Sequence, residues 1–546
     1  MIREAIDGIS SPEGKERVVR AVSWMVLFAG LHGGFRYFGR RGMLVTARSV
    51  EMRLRRDLLA HVIRLPMSFF GRTPTGDVMS RLTNDVSAVW LLLGPGALTL
   101  VGTAISYLLA LLFMARISIT LTLVSLALAP VIVYTSREYG KAFHRLHRKA
   151  QESLAAMNAA LQENITGIRL VKAYGLEEKE EDRFHRACRE YYRQNVSVSK
   201  TSAAFHGAIG LLAGIGVALV LLLGGWLVIR GSLTLGGFVA FNAYLAMLSF
   251  PTMALGWVIN LVQRGGSAMG RINEFFGILE EPREPVLFPP RENPDAPFLE
   301  VRDLSFSYER QDRGEALRGI TFSLRKGEIV GLVGQTGSGK STLFSLLLRM
   351  HPVPPGTVFL EGRDASRIPL DEVRGAVRIV SQDPFLFSDT VLANICFGRD
   401  IPDVKEAMNA ASMARFLAEI EEMPDGMDTV IGERGISLSG GQKQRATIAR
   451  ALCAGGDLLL LDDALSAVDS ETEREIFREI LSLRGGPTIL FSTHRMASLS
   501  RCDRILVLEG GRIVEKGTHD ELLSLGGAYY DFYSRQMLAR ELEAAQ

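Results

Sequence analysis

A chain of 546 residues is too long for one ordinary domain, and a formal net charge of +2 argues against a general nucleic-acid binder. Hydrophobic residues make up 47% of it and the mean hydropathy is +0.15, high for a protein that lives in water. Cys188, Cys396, Cys453 and Cys502 are scattered without metal-ligand or disulfide spacing, so they read as reduced and structural, and the first residues do not read as a cleavable secretory signal.

Residues 1–279 read as an α-helical membrane domain. Val18–Phe38 is the weakest candidate span, since it carries Arg20, His32 and Arg36. The runs Val86–Ala115, 117–136, Thr201–Ile229 and Gly231–Gln263 hold no charge, and each is long enough for the ~20 apolar residues that cross a bilayer. The segments Arg40–Arg81 and 137–200 are rich in Arg and Lys, whereas the short connections near Arg116 and Arg230 carry little charge. By charge bias the two long polar segments face the cytoplasm. Ser136–Asn164 lacks Pro and has one Gly, so it reads as a helix continuing roughly 40 Å past the membrane. Breaks at Phe69–Asp77 and Ala173–Gly175 are each expected to hold a short crosswise helix that docks on the second half. Residues 280–297 are Pro-rich and charged, the composition of a linker.

Residues 298–546 read as α/β. Phe298–Tyr308 alternates as a strand does, and Ile329–Val333 is a strand that ends in glycine. The run that follows, Gly334, Gln335, Thr336, Gly337, Ser338, Gly339, Lys340 and Ser341, fits the phosphate-binding loop and opens a helix expected over Thr342–Arg349. Its glycines allow backbone N–H groups to wrap phosphates, Lys340 would reach the β- and γ-phosphates, and Ser341 would ligate Mg²⁺. The apolar run Leu458–Leu461 ends in Asp462, placed to hold Mg²⁺, and in Asp463. Further back, Leu438-Ser439-Gly440-Gly441-Gln442 puts a polar glycine pair at a helix start, which is an anion site; its bland alternative is a helix cap made by Ser439.

With that Leu-Ser-Gly-Gly-Gln segment the chain resembles the ATP-binding cassette (ABC) superfamily, and over nearly its whole length it resembles exporter half-transporters. The resemblance implies a P-loop nucleotide-binding domain that uses ATP and Mg²⁺. It implies that Tyr308 stacks on adenine and that Thr342 lies in the nucleotide site beside Ser341. It makes Gln382 the sensor of γ-phosphate and Mg²⁺, Gly432–Gly435 the loop that meets the crosswise helices, and Ser466–Asp469 the loop that crosses a dimer interface. His494 becomes the switch histidine on γ-phosphate; without the family it would be an ordinary strand-end histidine. In this family two cassettes sandwich ATP head to tail, so Ser439, Gly440, Gly441 and Gln442 complete the partner's site, and one chain is half of a dimer.

At position 463 such cassettes usually carry Glu, which polarises the attacking water. Asp is one methylene shorter, which draws the carboxylate back by on the order of 1.5 Å unless the backbone compensates. Glu471 and Glu473 lie too far along the next helix to replace it. The segments Leu65–Phe70 and 231–264 look like those of multidrug-resistance-like permeases that act as heterodimers with one degenerate ATP site. The expectation is therefore an ATP-driven exporter half of the cytoplasmic (inner) membrane, weakly hydrolytic at its own loop, surrounded by membrane lipids and moving a small lipophilic compound, with no nucleic acid as partner. The alternatives are an active homodimer with Asp463 as base, and a regulatory ATP-binding subunit. His32, Arg36 and His206 are candidate functional groups within the spans. Exporters of this type have six spans per subunit, so about five spans suggest a missing first helix, from a truncated gene model or a mis-assigned start codon.

Overall fold

The computed structural model describes residues 2–9, 14–281, 297–308, 314–432, 438–482 and 486–544. Residues 282–296, most of the expected linker, and Glu433–Gly435 of the expected exporter loop lie outside the described residues. The chain divides into two compact units, Met1–Val62 with Gly76–Gly277 and Ile63–Thr75 with Ile278–Gln546.

The first unit is helical. Among the described residues it holds five helical stretches long and apolar enough to cross a membrane: Lys15–Ile63, Thr75–Ile117, Ile119–Thr166, Glu177–Ile229 and Leu235–Phe276. The polar segment expected as helix continues without a break, in Ala129–Thr166, and packs along Glu177–Ile229. Two of the helices start on a side-chain cap. Ser118 accepts from the backbone of Leu121 at 3.3 Å, and Thr234 accepts from Gly237 at 3.0 Å. A second acceptor reaches the start of Leu235–Met247 from far away: Asp7, on the short helix Ile2–Ile9, accepts from Gly236 N–H at 2.8 Å. A Cβ on Gly236 would meet the Arg3 carbonyl at 2.3 Å, so glycine is required there. Met114, Leu121, Val220 and Phe241 form the buried centre of this end. Toward the other end, Arg271 grips Asp85 with two bonds of 2.5 and 2.9 Å. Short helices form at both expected breaks, Met67–Arg72 and Ile168–Tyr174, the latter closed by Gly175 in the left-handed region at φ +62°.

The second unit is α/β. An antiparallel sheet has the order β2-β1-β4-β5, from β1 (Leu299–Ser307), β2 (Glu315–Leu324), β4 (Val358–Leu360) and β5 (Arg363–Asp364). A second sheet runs β10-β9-β3-β8-β7-β6, from β3 (Ile329–Val333), β6 (Val377–Val380), β7 (Leu458–Asp462), β8 (Thr488–Ser492), β9 (Arg504–Glu509) and β10 (Arg512–Gly517). All its neighbours are parallel except the edge pair β10–β9. β7 and β8 are buried along their full length, as strands covered on both faces must be. The helix after the phosphate loop spans Lys340–Leu347, two residues earlier than expected at each end. Gly339, at φ +109°, turns the chain into the helix directly, and Arg349 at φ +50° lies beyond its end.

Candidate nucleotide site

In an open parallel sheet ligands bind outside the carboxyl ends of the strands. Here β6, β7, β8 and β3 lie side by side, and the register pairs Val380 with Leu461, Asp462 with Ser492, and Leu332 with Ser492. Their ends therefore bring four segments to one edge: the turn with Gln382, the Asp462–Asp463 pair, Ser492–His494, and the loop from Gly334.

Two glycines of the loop leave no room for a side chain. A Cβ on Gly334 would meet the Leu508 carbonyl at 2.2 Å, and one on Gly339 would meet the Ala316 carbonyl at 2.8 Å. Gly337 sits at φ +82°. Gln335 and Thr336 are exposed, whereas Ser338 is buried and its hydroxyl has no hydrogen-bond partner among the described residues. Lys340 is buried and donates to the carbonyls of Gly334 at 2.8 Å and Gln335 at 3.0 Å. Burial pushes its ammonium below the ordinary lysine range, against the pull of the Asp462 and Asp463 carboxylates. An orphaned hydroxyl, a buried cation and a glycine cradle fit a phosphate group. Ser341 follows on the exposed side, and Thr342 Oγ1 lies 3.1 Å from the Tyr308 hydroxyl. Tyr308 is 41% exposed, and its ring meets Phe306 and His351 edge-on at centroid distances of 5.1 and 5.4 Å. Burial lowers the His351 pKa, so at neutral pH an uncharged ring stands behind Tyr308. Among the described residues no ring stacks face to face on Tyr308.

For Mg²⁺ the candidate donors are the Ser341 hydroxyl, the exposed Gln382 amide oxygen and the Asp462 carboxylate, an all-oxygen set suited to a hard cation. No group of three or more His, Cys, Asp or Glu gathers to hold a metal among the described residues. Ser492 Oγ donates to Asp462 Oδ1 at 2.8 Å and fixes that carboxylate.

Asp463 has a left-handed backbone at φ +47°. Its N–H donates to the Ser492 carbonyl at 3.1 Å and is within 3.0 Å of the Ser492 hydroxyl. Its Oδ2 lies 3.6 Å from His494 Nε2. Gln536, on the helix Ala528–Ala544, donates to the His494 carbonyl at 2.9 Å and accepts from Met496 N–H at 2.7 Å, which holds the histidine segment. Glu473 is buried and engaged by Arg495 and by Ser498 at 2.5 Å, so it is not available as a base.

The signature segment stands apart from the loop. Ser439 and Gln442 form a reciprocal capping box, with bonds of 3.3 and 2.9 Å, that opens the helix Gly440–Ala454. No hydrogen bond joins Ser439–Gln442 to the phosphate loop among the described residues. A Cβ on Gly441 would meet the Ala467 carbonyl at 3.0 Å, so this helix lies against the loop after Asp463. Gln444, one turn in, donates to Ser466 Oγ at 3.0 Å and accepts from Ala467 N–H at 2.9 Å. Asp469 caps Ser470–Ser482 by accepting from Thr472 N–H at 2.9 Å and Glu471 N–H at 3.1 Å, and these donors hold its carboxyl below the usual range.

Apolar spans and a cassette ATPase on one polypeptide are the organisation of an ABC exporter half-transporter. Residues 3–252 match the ABC transporter transmembrane region and residues 317–466 the ABC transporter domain. The chain belongs to this family. It is 38% identical, over 92% of its length and 86% of the relative's, to the probable multidrug resistance ABC transporter ATP-binding/permease protein YheI of Bacillus subtilis. It is 36% identical to the multidrug resistance-like ATP-binding protein MdlA of Escherichia coli, covering 99% and 91% of the two chains. It is 35% identical to the ATP-dependent lipid A-core flippase of Chromohalobacter salexigens, covering 99% and 93%. The structure of a bacterial Atm1-family ABC exporter with ATP bound superposes with a TM-score of 0.80 at 27% identity, covering 98% of this chain and 94% of that one. The protein is a multi-pass transporter ATPase of the cytoplasmic membrane that uses ATP with Mg²⁺, and exporters of this family work as dimers.

Proposed function

We propose that this chain is the ATP-holding half of an asymmetric exporter. Lys340, Ser341, Asp462, Gln382 and the glycine cradle bind Mg–ATP between Tyr308 and the partner's signature, and Asp463 hydrolyses it slowly. Ser439–Gln442 completes the partner's site, where a partner Glu drives turnover. The transported compound is lipophilic, a reading supported by apolar spans and by relatives named for multidrug resistance and lipid A-core flipping.

One observation carries the asymmetry. The backbone of Asp463 is tied to Ser492 at 3.0 and 3.1 Å, so it is not free to advance and offset the missing methylene. A misplacement of that order costs about 100-fold in rate. The same site favours one rival, an active homodimer, because His494 stands 3.6 Å from the carboxylate and would orient it as a base. Comparing the ATPase rates of the purified chain alone and with its partner separates the two. Slow turnover alone and fast turnover in the pair, insensitive to Asp463→Asn, supports the proposal. Fast turnover alone, abolished by Asp463→Asn, establishes the homodimer.

A further inference from the structure

We propose that Arg374 and Glu281 are positioning residues that link the nucleotide state of the cassette to the last span. Through this pair, the helices that start at the phosphate loop and at the signature act on the stretch of chain that continues that span. The link is the same whether the chain pairs with a copy of itself or with a partner.

An arginine holds the far end of each of those two helices. Lys340–Leu347 starts at the phosphate loop, and at its other end Arg374 donates to the carbonyls of Leu348 at 3.5 Å and Arg349 at 3.2 Å. Gly440–Ala454 starts at the signature, and at its other end Arg378 donates to the carbonyls of Ala454 at 3.4 Å and Gly455 at 2.8 Å. Carbonyls at a helix end lack partners within the helix, and the helix dipole favours a cation there. Arg378 also donates to the Arg374 carbonyl at 2.8 Å, which joins the two caps. It lies on β6, the strand that leads to Gln382.

A further partner of Arg374 is Glu281, whose Oε1 lies 3.1 Å from Arg374 Nη2. Glu281 stands just past the span Leu235–Phe276, and its N–H donates to the Arg64 carbonyl at 2.9 Å. Arg64 stands just past the helix Gly14–Ile63 and just before the short helix Met67–Arg72. The chain passes between its units after Val62, after Thr75 and after Gly277. One hydrogen bond therefore ties the first passage to the last, and Arg374 anchors the residue that makes it. All of these anchoring groups belong to the second unit.

Residues 278–281 form neither helix nor strand. Left unpinned, such a stretch would absorb a displacement of either helix before it reached Phe276, because coupling needs a contiguous run of packed or bonded elements. The pair is half-buried, with side chains 20% and 35% exposed, so it is more than a solvated surface contact.

The test uses the assembled dimer in lipid nanodiscs and needs no transport substrate. Hydrogen–deuterium exchange over residues 264–277 is followed with and without a saturating non-hydrolysable ATP analogue and Mg²⁺, beside thermal unfolding. Bound nucleotide is expected to slow exchange there in the native dimer. Glu281→Ala leaves Arg374 on its carbonyls, and should lose most of the slowing while keeping the native unfolding temperature. Arg374→Gln should lose as much, and the double variant no more than either single one, since the two act as one link. Arg302→Gln breaks the pair with Glu300 on β1 and should keep the slowing in full. If Arg374→Gln does not fold, Glu281→Ala decides alone. Unaltered slowing in Glu281→Ala, additive losses in the double variant, or no nucleotide effect in the native dimer overturns the inference. So does a Glu281→Ala dimer that unfolds earlier and exchanges faster with and without nucleotide alike, since the pair would then only support the fold.

Discussion

His494 Nε2 lies 3.6 Å from Asp463 Oδ2, although the two residues follow different strands of the sheet. The carboxylate is 12% exposed and the imidazole 49%, so the pair looks outward from the strand ends. Restoring the missing methylene should move the acid toward the attacking water without disturbing the backbone that Ser492 holds. Asp463→Glu is therefore expected to raise hydrolysis at this chain's own loop, by up to about 100-fold. Single-turnover ATP hydrolysis with the partner's own base disabled measures it. An unchanged or lower rate would mean that Asp463 is already placed for catalysis.

Ser492 ties both acids together, donating to Asp462 and contacting the Asp463 N–H. It is buried, so Ser492→Ala removes a hydroxyl that water cannot replace. The Asp463 N–H keeps the Ser492 carbonyl as acceptor, which confines the damage to the Asp462 carboxylate. Loss of one such bond costs ~1–3 kcal/mol of stability, and an unanchored metal-site carboxylate lowers metal affinity by about 10–100-fold. Calorimetric titration with Mg²⁺ at fixed nucleotide, beside thermal unfolding, checks both.

Contiguity decided what could be read in advance. The spans were legible because long runs lack charge, and the phosphate loop and signature because their chemistry sits within eight and five adjacent residues. Ser492, Gln444, Gln536 and Asp7 were missed, since each is ordinary by type and acts on a partner 30, 22, 42 or 229 residues away. The φ of Asp463 was equally hidden, because a left-handed aspartate is set by the turn from β7 rather than by neighbouring residue types. The early start of Lys340–Leu347 follows from Gly339, whose presence was visible but whose φ was not.

Burial in the second unit should show as a loss of stability in base. The Cys453 thiol, buried beside Cys396 at 3.9 Å, is pushed up from 9.0 to about 11, and burial pushes Cys502 from 9.0 to about 12. Both are raised in the folded state, so their contribution is complete below pH 9 and is lost as pH rises from there toward 11 or 12. Denaturant unfolding should therefore show stability falling above pH 9, and more steeply than in a Cys453→Ala, Cys502→Ala double variant. At pH 8 both thiols should resist alkylation until the protein is unfolded. Rapid labelling of either one in the folded protein would contradict their burial.

Gln444 offers a test of how the signature is held rather than of what it binds. Its amide is buried and spans from the signature helix to Ser466 and Ala467, so the first turns of Gly440–Ala454 and the loop after Asp463 move as one piece. Gln444→Ala cuts both bonds and leaves Ala467 N–H without its acceptor, at a cost of ~1–3 kcal/mol. The phosphate loop lies on other elements, so nucleotide affinity there should be nearly unchanged. If the signature serves the opposite site, the variant chain should slow hydrolysis at the partner's loop while its own loop binds ATP normally. Labelled-nucleotide binding to this chain, measured beside steady-state turnover of the pair, separates the two effects. Equal losses in both would mean that Gln444 supports the whole cassette instead.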